Sequence, residues 1–258
     1  MPARQLTGDC PAPSWRGAFA ALVLALAACT ATTRGEAPDA PAGAHARTPD
    51  PARALLNEAI ETAGGMQALR RVRALHWTGE ATVFAADHNI ELGVDTRIEP
   101  FLRAKSDTWL RDQGRATLRT LEVAPDGGWM TRDGKREPMP ADMLEHERVQ
   151  YATYGLMLLA PLHDAKTVLR REPDRDGLRI LHVEHPNAAP ADLYFDANTA
   201  LVRLEDTVPA AQGAGRVLQR FDFEGATAAN GIRWPRTIRI TQDGKPYFEL
   251  RIATLVVE

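Results

Sequence analysis

The sequence predicts a mainly β (α+β) domain built on one large, curling antiparallel sheet. Three observations carry that reading. Segments of alternating apolar and polar residues recur from about residue 75 to the end of the chain. Asp-Gly and Asn-Gly pairs, the chemistry of tight hairpin turns, stand between several of them. One long helical stretch interrupts the series, and neither a tandem repeat nor an interior domain boundary is visible. A single apolar face per segment means a sheet covered on one side. With about eleven or twelve strands joined by short connections, such a sheet has to curl.

The chain opens on a leader. Arg16 precedes the apolar run Gly17–Ala28, and small residues close it. That run falls short of the roughly 20 residues a spanning helix needs, so it reads as a secretory signal peptide over residues 1–28. Leu26-Ala27-Ala28-Cys29 is similar to a bacterial lipobox, which makes Cys29 the expected site of lipidation and the first residue of the mature protein. Thr30 replaces the aspartate that commonly retains such proteins at the inner membrane. The expected location is therefore the outer membrane, facing the periplasm. Residues 29–50 are rich in Ala, Pro, Thr and Gly without apolar periodicity, as in a flexible tether.

Folded sequence is expected over residues 51–258. Asp50-Pro51 has the form of a helix start, cap followed by first-turn proline. Leu55, Leu56, Ala59 and Ile60 follow at helical spacing until Gly64-Gly65, and Met66, Leu69 and Val72 give a second short helix. Strands are predicted at Leu75–Val83, Ile90–Glu99, Arg103–Arg111, Thr117–Val123 and Gly128–Arg132. From Pro140 to Leu159 helix formers dominate, with Asp142, Glu145 and Glu147 toward the front, as the helix dipole favours. The back half, Tyr151–Leu159, is apolar on nearly every side, which only burial or a greasy surface accommodates. Further strands are predicted at Thr167–Arg171, Leu178–Glu184, Ala191–Asp196, Leu201–Val208, Gly215–Phe223, Ile232–Thr241 and Tyr247–Val257. In the last, Phe248, Leu250, Ile252 and Val256 share one parity.

Composition excludes several function classes. With 31 Lys and Arg against 34 Asp and Glu, the net charge of −3 offers no basic surface for nucleic acid. Cys10 leaves with the leader, so no disulfide and no thiol chemistry remain beyond Cys29. After the leader the one serine is Ser106, outside any nucleophile elbow. Along a strand His182 and Glu184 would share a face and His185 would turn away, so His182-Val183-Glu184-His185 reads as a solvated face and not a metal site. Glu145-His146-Glu147 lacks a second His at i+4. No metal, cofactor or catalytic residue is expected.

Leu55–Ala63 with Gly64-Gly65 and Met66-Gln67-Ala68-Leu69, then Trp77-Thr78-Gly79, resembles the opening of the periplasmic lipoprotein-sorting and lipoprotein-receptor superfamily (LolA/LolB-like). Gly127-Gly128-Trp129-Met130 with Asp133-Gly134-Lys135 resembles its mid-sheet hairpin. Asn230-Gly231-Ile232-Arg233-Trp234-Pro235 with Gln242-Asp243-Gly244-Lys245 resembles its closing hairpin. The resemblance spans about residues 53–257 and implies an open half-barrel with helices on its concave face, where Tyr151–Leu159 would lie. It also implies a concave cavity for acyl chains or other apolar ligands. The functional expectation is a membrane-anchored periplasmic lipoprotein, not an enzyme, that binds or carries such a ligand. The alternative is a structural or interaction module of the cell envelope with no exchangeable ligand. Tyr151, Tyr154 and Leu158 on the apolar helix, with Trp109 and Phe221 from the strands, are the candidate ligand-binding residues.

Overall fold

The computed structural model describes residues 50–210 and 215–258; Cys29 and residues 29–49 lie outside them. The described chain begins with two helices, α1 (Pro51–Ala63) and α2 (Met66–Arg71). Asp50 caps α1 as its sequence implies, its carboxylate accepting from the Ala52 amide at 3.0 Å. Gly64 ends α1 at φ 128°, and a Cβ there would lie 2.1 Å from the Gly231 carbonyl oxygen. Only glycine permits both that turn and that approach.

Six strands follow: β1 (Leu75–Phe84), β2 (Asn89–Glu99), β3 (Arg103–Leu110), β4 (Arg119–Ala124), β5 (Gly127–Arg132) and β6 (Lys135–Pro138). Helix α3 (Ala141–Met157) comes next. The second series is β7 (Val168–Arg175), β8 (Leu178–Glu184), β9 (Ala191–Phe195), β10 (Leu201–Pro209), β11 (Arg216–Glu224), β12 (Thr227–Ala229), β13 (Ile232–Trp234), β14 (Thr237–Gln242) and β15 (Lys245–Val257). Asp133-Gly134, Asn230-Gly231 and Asp243-Gly244 all adopt positive φ at both positions, the geometry of two-residue hairpin turns.

Thirteen strands form one open antiparallel sheet in the order β6-β5-β4-β3-β2-β1-β15-β14-β11-β10-β9-β8-β7. Two meanders are therefore joined back to back by the pairing of the first strand with the last, Leu75 opposite Val257 and Val83 opposite Phe248. The free edges are β6 and β7, and the chain between them is the one containing α3. At 1.5 Å per residue its 17 residues reach about 25 Å. Connecting the two edges, α3 crosses the open side of the curled sheet. Its docking contacts fall on both halves: Leu144 against Gly128 on one, and Thr153 against Asp206 on the other.

The structure differs from the sequence reading in three regions. Strand β6 was not foreseen, because Lys-Arg-Glu-Pro is exposed throughout and carries no apolar alternation. Its charge and closing proline suit an edge that must not recruit further strands. The strand expected over Ile232–Thr241 is two: Pro235 has no amide to give, so Ile232–Trp234 pairs with the equally unforeseen β12, and Thr237–Gln242 joins the main sheet. In β15 the register shifts between Ile252 and Thr254, opposite Gly79 and Thr78. That bulge reverses the parity, so Val256 is half exposed and Val257 is buried. Gly79 accommodates the bulge, since a Cβ there would meet the Arg251 carbonyl oxygen at 2.1 Å.

The core lies on the concave side. Leu55, Leu56 and Ile60 of α1 pack with Leu156, Leu158 and Leu159 from the end of α3 against Leu193, Leu204 and Ile238 of the sheet. Phe101, at φ 59°, sets its ring on Gly155, where a Cβ would be 2.5 Å from the ring. The convex face is laced with ion pairs such as Arg97–Glu258 at 2.8 Å, Arg136–Glu122 at 3.0 Å and Arg170–Glu184 at 2.7 Å. Exposed pairs of this kind add little stability singly; they mark a solvated face.

Candidate functional site

Where α3 crosses the first meander it leaves a cavity of about 310 Å³ between itself and strands β1–β4 and β15. The sheet wall follows strand parity. Trp77 and Val83 of β1, Leu92 and Val94 of β2, Leu121 of β4, and Phe248 and Leu250 of β15 face inward. The helix wall is a single stripe, Met143, Glu147, Gln150, Tyr151 and Tyr154, at spacings of four, three, one and three residues. Trp77 forms the floor: it is 1% exposed, and its ring centroid lies 5.2 Å from that of Tyr154. Tyr151 stands 6.3 Å from Tyr154 and beside Ser106, whose hydroxyl lies 2.7 Å from that of Thr96.

Burial dominates the electrostatics of this cavity. Burial pushes the Tyr151, Tyr154 and Tyr247 phenols upward, and the Glu147 carboxylate adds to the shift of all three. Burial also raises the Glu147 carboxyl, against a smaller downward pull from His146. The indole nitrogen of Trp77 and the side-chain oxygen of Gln150 are buried without a hydrogen-bond partner. Arg119 is exposed at the rim.

The other flank of α3 is docked onto the second meander. His146 Nδ1 lies 2.8 Å from the Pro209 carbonyl oxygen, and Thr153 Oγ1 is 3.2 Å from Asp206 Oδ2. Asp206 is 4% exposed, and burial pushes its carboxyl up to about 6. Beyond this docking zone a smaller hollow of about 190 Å³ lies between α1, the end of α3 and Phe223 and Trp234. Larger depressions of about 460 and 530 Å³ lie at Arg70, Arg73 and His163 and at His88, Arg111 and Gln113, and charged side chains line both.

Of the five candidate ligand-binding residues, Tyr151 and Tyr154 line the cavity. Leu158 is 2% exposed and packs in the core near Pro100 and Phe101, away from the cavity. Phe221 is fully buried on β11, 6.3 Å from Phe223, in the core of the second meander. Trp109 occupies the opposite face of the sheet, because Ser106 and Thr108 of the same strand point inward. There its ring covers Gly93, with the Arg115 guanidinium 4.3 Å above it. Glu147, Gln150 and Arg119 were not foreseen as site residues. The signal was the helical stripe itself, which carries a carboxylate among aromatics.

His182 and Glu184 share a face, 3.6 Å apart, while His185 stacks on Phe101 at 4.4 Å. Among the described residues no group of three or more His, Cys, Asp or Glu side chains could hold a metal ion, and no helix is long and apolar enough to cross a membrane.

No family model matches this chain, and no curated protein does. Solved structures do. A structure described as an outer membrane lipoprotein-sorting protein domain from Vibrio parahaemolyticus superposes with a TM-score of 0.51 at 13% identity, over 80% of this chain and 93% of that one. A LolA superfamily protein from Nitrosomonas europaea gives 0.52 at 10% identity, over 80% and 93%. The chain has the LolA-like fold. A DUF1329 family protein from Desulfovibrio piger shares it, with a TM-score of 0.51 at 11% identity over 81% of this chain and 94% of that one. Identities this low establish the fold alone. Within the LolA-like fold, the hollow of the half-barrel is where the cavity lies, and α3 is the helix that roofs it.

Proposed function

We propose that this protein is a non-catalytic lipoprotein of the cell envelope that holds a lipid, an acyl chain or another apolar ligand in the cavity beneath α3. In this reading Cys29 carries the lipid anchor, residues 29–50 are the tether, and the domain faces the periplasm from the outer membrane. The observation that carries the proposal is the cavity itself. It lies between a helix and a curved sheet, is walled mainly by apolar and aromatic side chains, and is supplied with a few unpartnered polar groups, as ligand sites are. Its 310 Å³ stands at the lower end of the range of about 300–1,000 Å³ typical of such sites. The likeness to a lipoprotein-sorting domain supports the same reading.

One observation favours the alternative of a structural or interaction module. The stretch Ala152–Leu159 is itself buried in the hollow, so the protein fills part of its concavity with its own side chains. A neutral fluorescent probe, a labelled long-chain alcohol, separates the two readings. The purified protein should bind it saturably, and Thr108→Trp, which places an indole in the cavity from β3, should weaken binding at least tenfold without lowering thermal stability. An absence of saturable binding would leave the structural reading standing.

A further inference from the structure

Glu147 is an anomaly for a plain acyl-chain site. It lies on the helical stripe that lines the cavity, flanked by Tyr151 and Tyr154 on α3 and approached by Tyr247 from β15. Among the described residues its carboxylate has neither a hydrogen-bonding donor nor an ion-pair partner. The nearest basic side chain, His146, turns to the other flank of the helix, where its ring is held against the Pro209 carbonyl. Arg119 lies out at the rim. Two other carboxylates that the sheet partly or fully buries are paired, in Arg97–Glu99 and Arg239–Glu249, both at 2.7 Å. Glu147 is half-buried, and a carboxylate partly withdrawn from water without a partner is costly. Such a group persists in an apolar cavity when something that enters the cavity answers it.

The neighbouring polar atoms narrow the kind of answer. The Gln150 side-chain oxygen, buried without a partner on the same stripe, is an acceptor like the carboxylate. These two acceptors favour an incoming group that donates hydrogen bonds, while the unpartnered Trp77 indole N–H on the cavity floor is left for a group that accepts one. A carboxylate ligand would bring a second negative charge into the same low-dielectric space, whereas an ammonium would form a charge-assisted pair there.

We infer, resting on the apolar-ligand reading above, that the cavity selects amphiphiles whose polar group is an ammonium carried directly on the hydrocarbon chain. Glu147 receives the ammonium, Gln150 accepts a further hydrogen bond from it, and the chain runs along Leu92, Val94, Leu121 and Phe248. Burial raises the Glu147 carboxyl, and an ammonium beside it favours its ionised form.

Three probes of equal chain length test this: dodecylamine, dodecanol and dodecanoic acid, titrated calorimetrically into the purified protein at pH 7.5. Dodecylamine should bind at least tenfold tighter than dodecanoic acid. Glu147→Gln should weaken the amine at least tenfold and leave dodecanol within about threefold, and Glu147→Asp should recover part of the loss. Thermal melting confirms that Glu147→Gln is folded, and replacing a desolvated acid by its neutral isostere should not lower its stability. If all three probes bind alike, or the acid binds best, or Glu147→Gln leaves the amine unaffected, the inference is overturned while the apolar cavity stands. If none of the three binds, both fall.

Discussion

Replacing Asp206 by Asn should stabilise the domain, and increasingly so as the pH rises. Asp206 lies under α3 with one carboxylate oxygen 3.2 Å from Thr153 Oγ1 and the other buried without a partner. Burial is the main cause of the rise of its carboxyl from 3.8 to about 6, opposed by the Thr153 hydroxyl, the nearby Gln219 amide and the charges of His146 and Arg216. A folded-state value above the unfolded one means that the folded protein holds the extra proton between about pH 4 and 6. Stability from this group is therefore greatest at low pH and is lost as the pH climbs through that window. At about 1.4 kcal/mol per pH unit, the shift corresponds to roughly 3 kcal/mol at full ionisation, of which about 2 kcal/mol develops between pH 4.5 and 8. Asn is nearly isosteric, stays neutral, and can either accept from Thr153 or donate to it while Thr153 donates to the Val149 carbonyl at 3.2 Å. Urea denaturation of both proteins across pH 4.5–8 gives the stability difference at each pH, and the titration of every unaltered group cancels to first order. The variant's advantage should grow by about 2 kcal/mol over that span and flatten above pH 6–7. A difference independent of pH, or one that turns against the variant as pH rises, would refute a desolvated carboxyl beneath α3.

Two further outcomes are expected. Gly155→Ala places a methyl 2.5 Å from the Phe101 ring, which is held in place by stacking on His185; it should cost about 1–3 kcal/mol in urea denaturation, and Phe101→Leu in the same chain should recover part of that. Cys29→Ser removes the thiol that the proposed lipid anchor requires, so cell fractionation should find the protein released from membranes or left unprocessed, and wild-type mass and membrane recovery would contradict the anchor.

Much of the fold was legible because its signals are local. Period-two alternation in β1 and β2, the capping aspartate before Pro51, and the turn pairs at Asp133, Asn230 and Asp243 each act within a few residues. What sequence did not reveal depends on partners far along the chain. The joining of Leu75–Phe84 to Lys245–Val257 is a long-range pairing, and it alone makes the two meanders one sheet. The bulge that turns Val256 outward exists because a glycine, Gly79, stands opposite in that pairing. The site divided along the same line. Tyr151 and Tyr154 were legible because a helix apolar on nearly all sides needs cover. Trp109 and Phe221 were not placeable, since an aromatic on a strand looks alike whether it meets the cavity, the core of the other meander or the outer face. Glu147 read as a charge suited to the front half of a helix, and only the fold shows that its side of α3 faces the hollow.

The central claim is that the cavity under α3 holds an exchangeable apolar ligand. Native mass spectrometry of the protein purified from its own cells under mild conditions, with organic extraction of the same sample, tests it most directly. The account predicts a bound mass at a ratio approaching one per chain beyond the anchor at Cys29, an extract containing the corresponding amphiphile, and loss of that mass in Thr108→Trp. A chain at its bare mass with an empty extract, in a sample whose melting temperature matches the untreated protein, would contradict it.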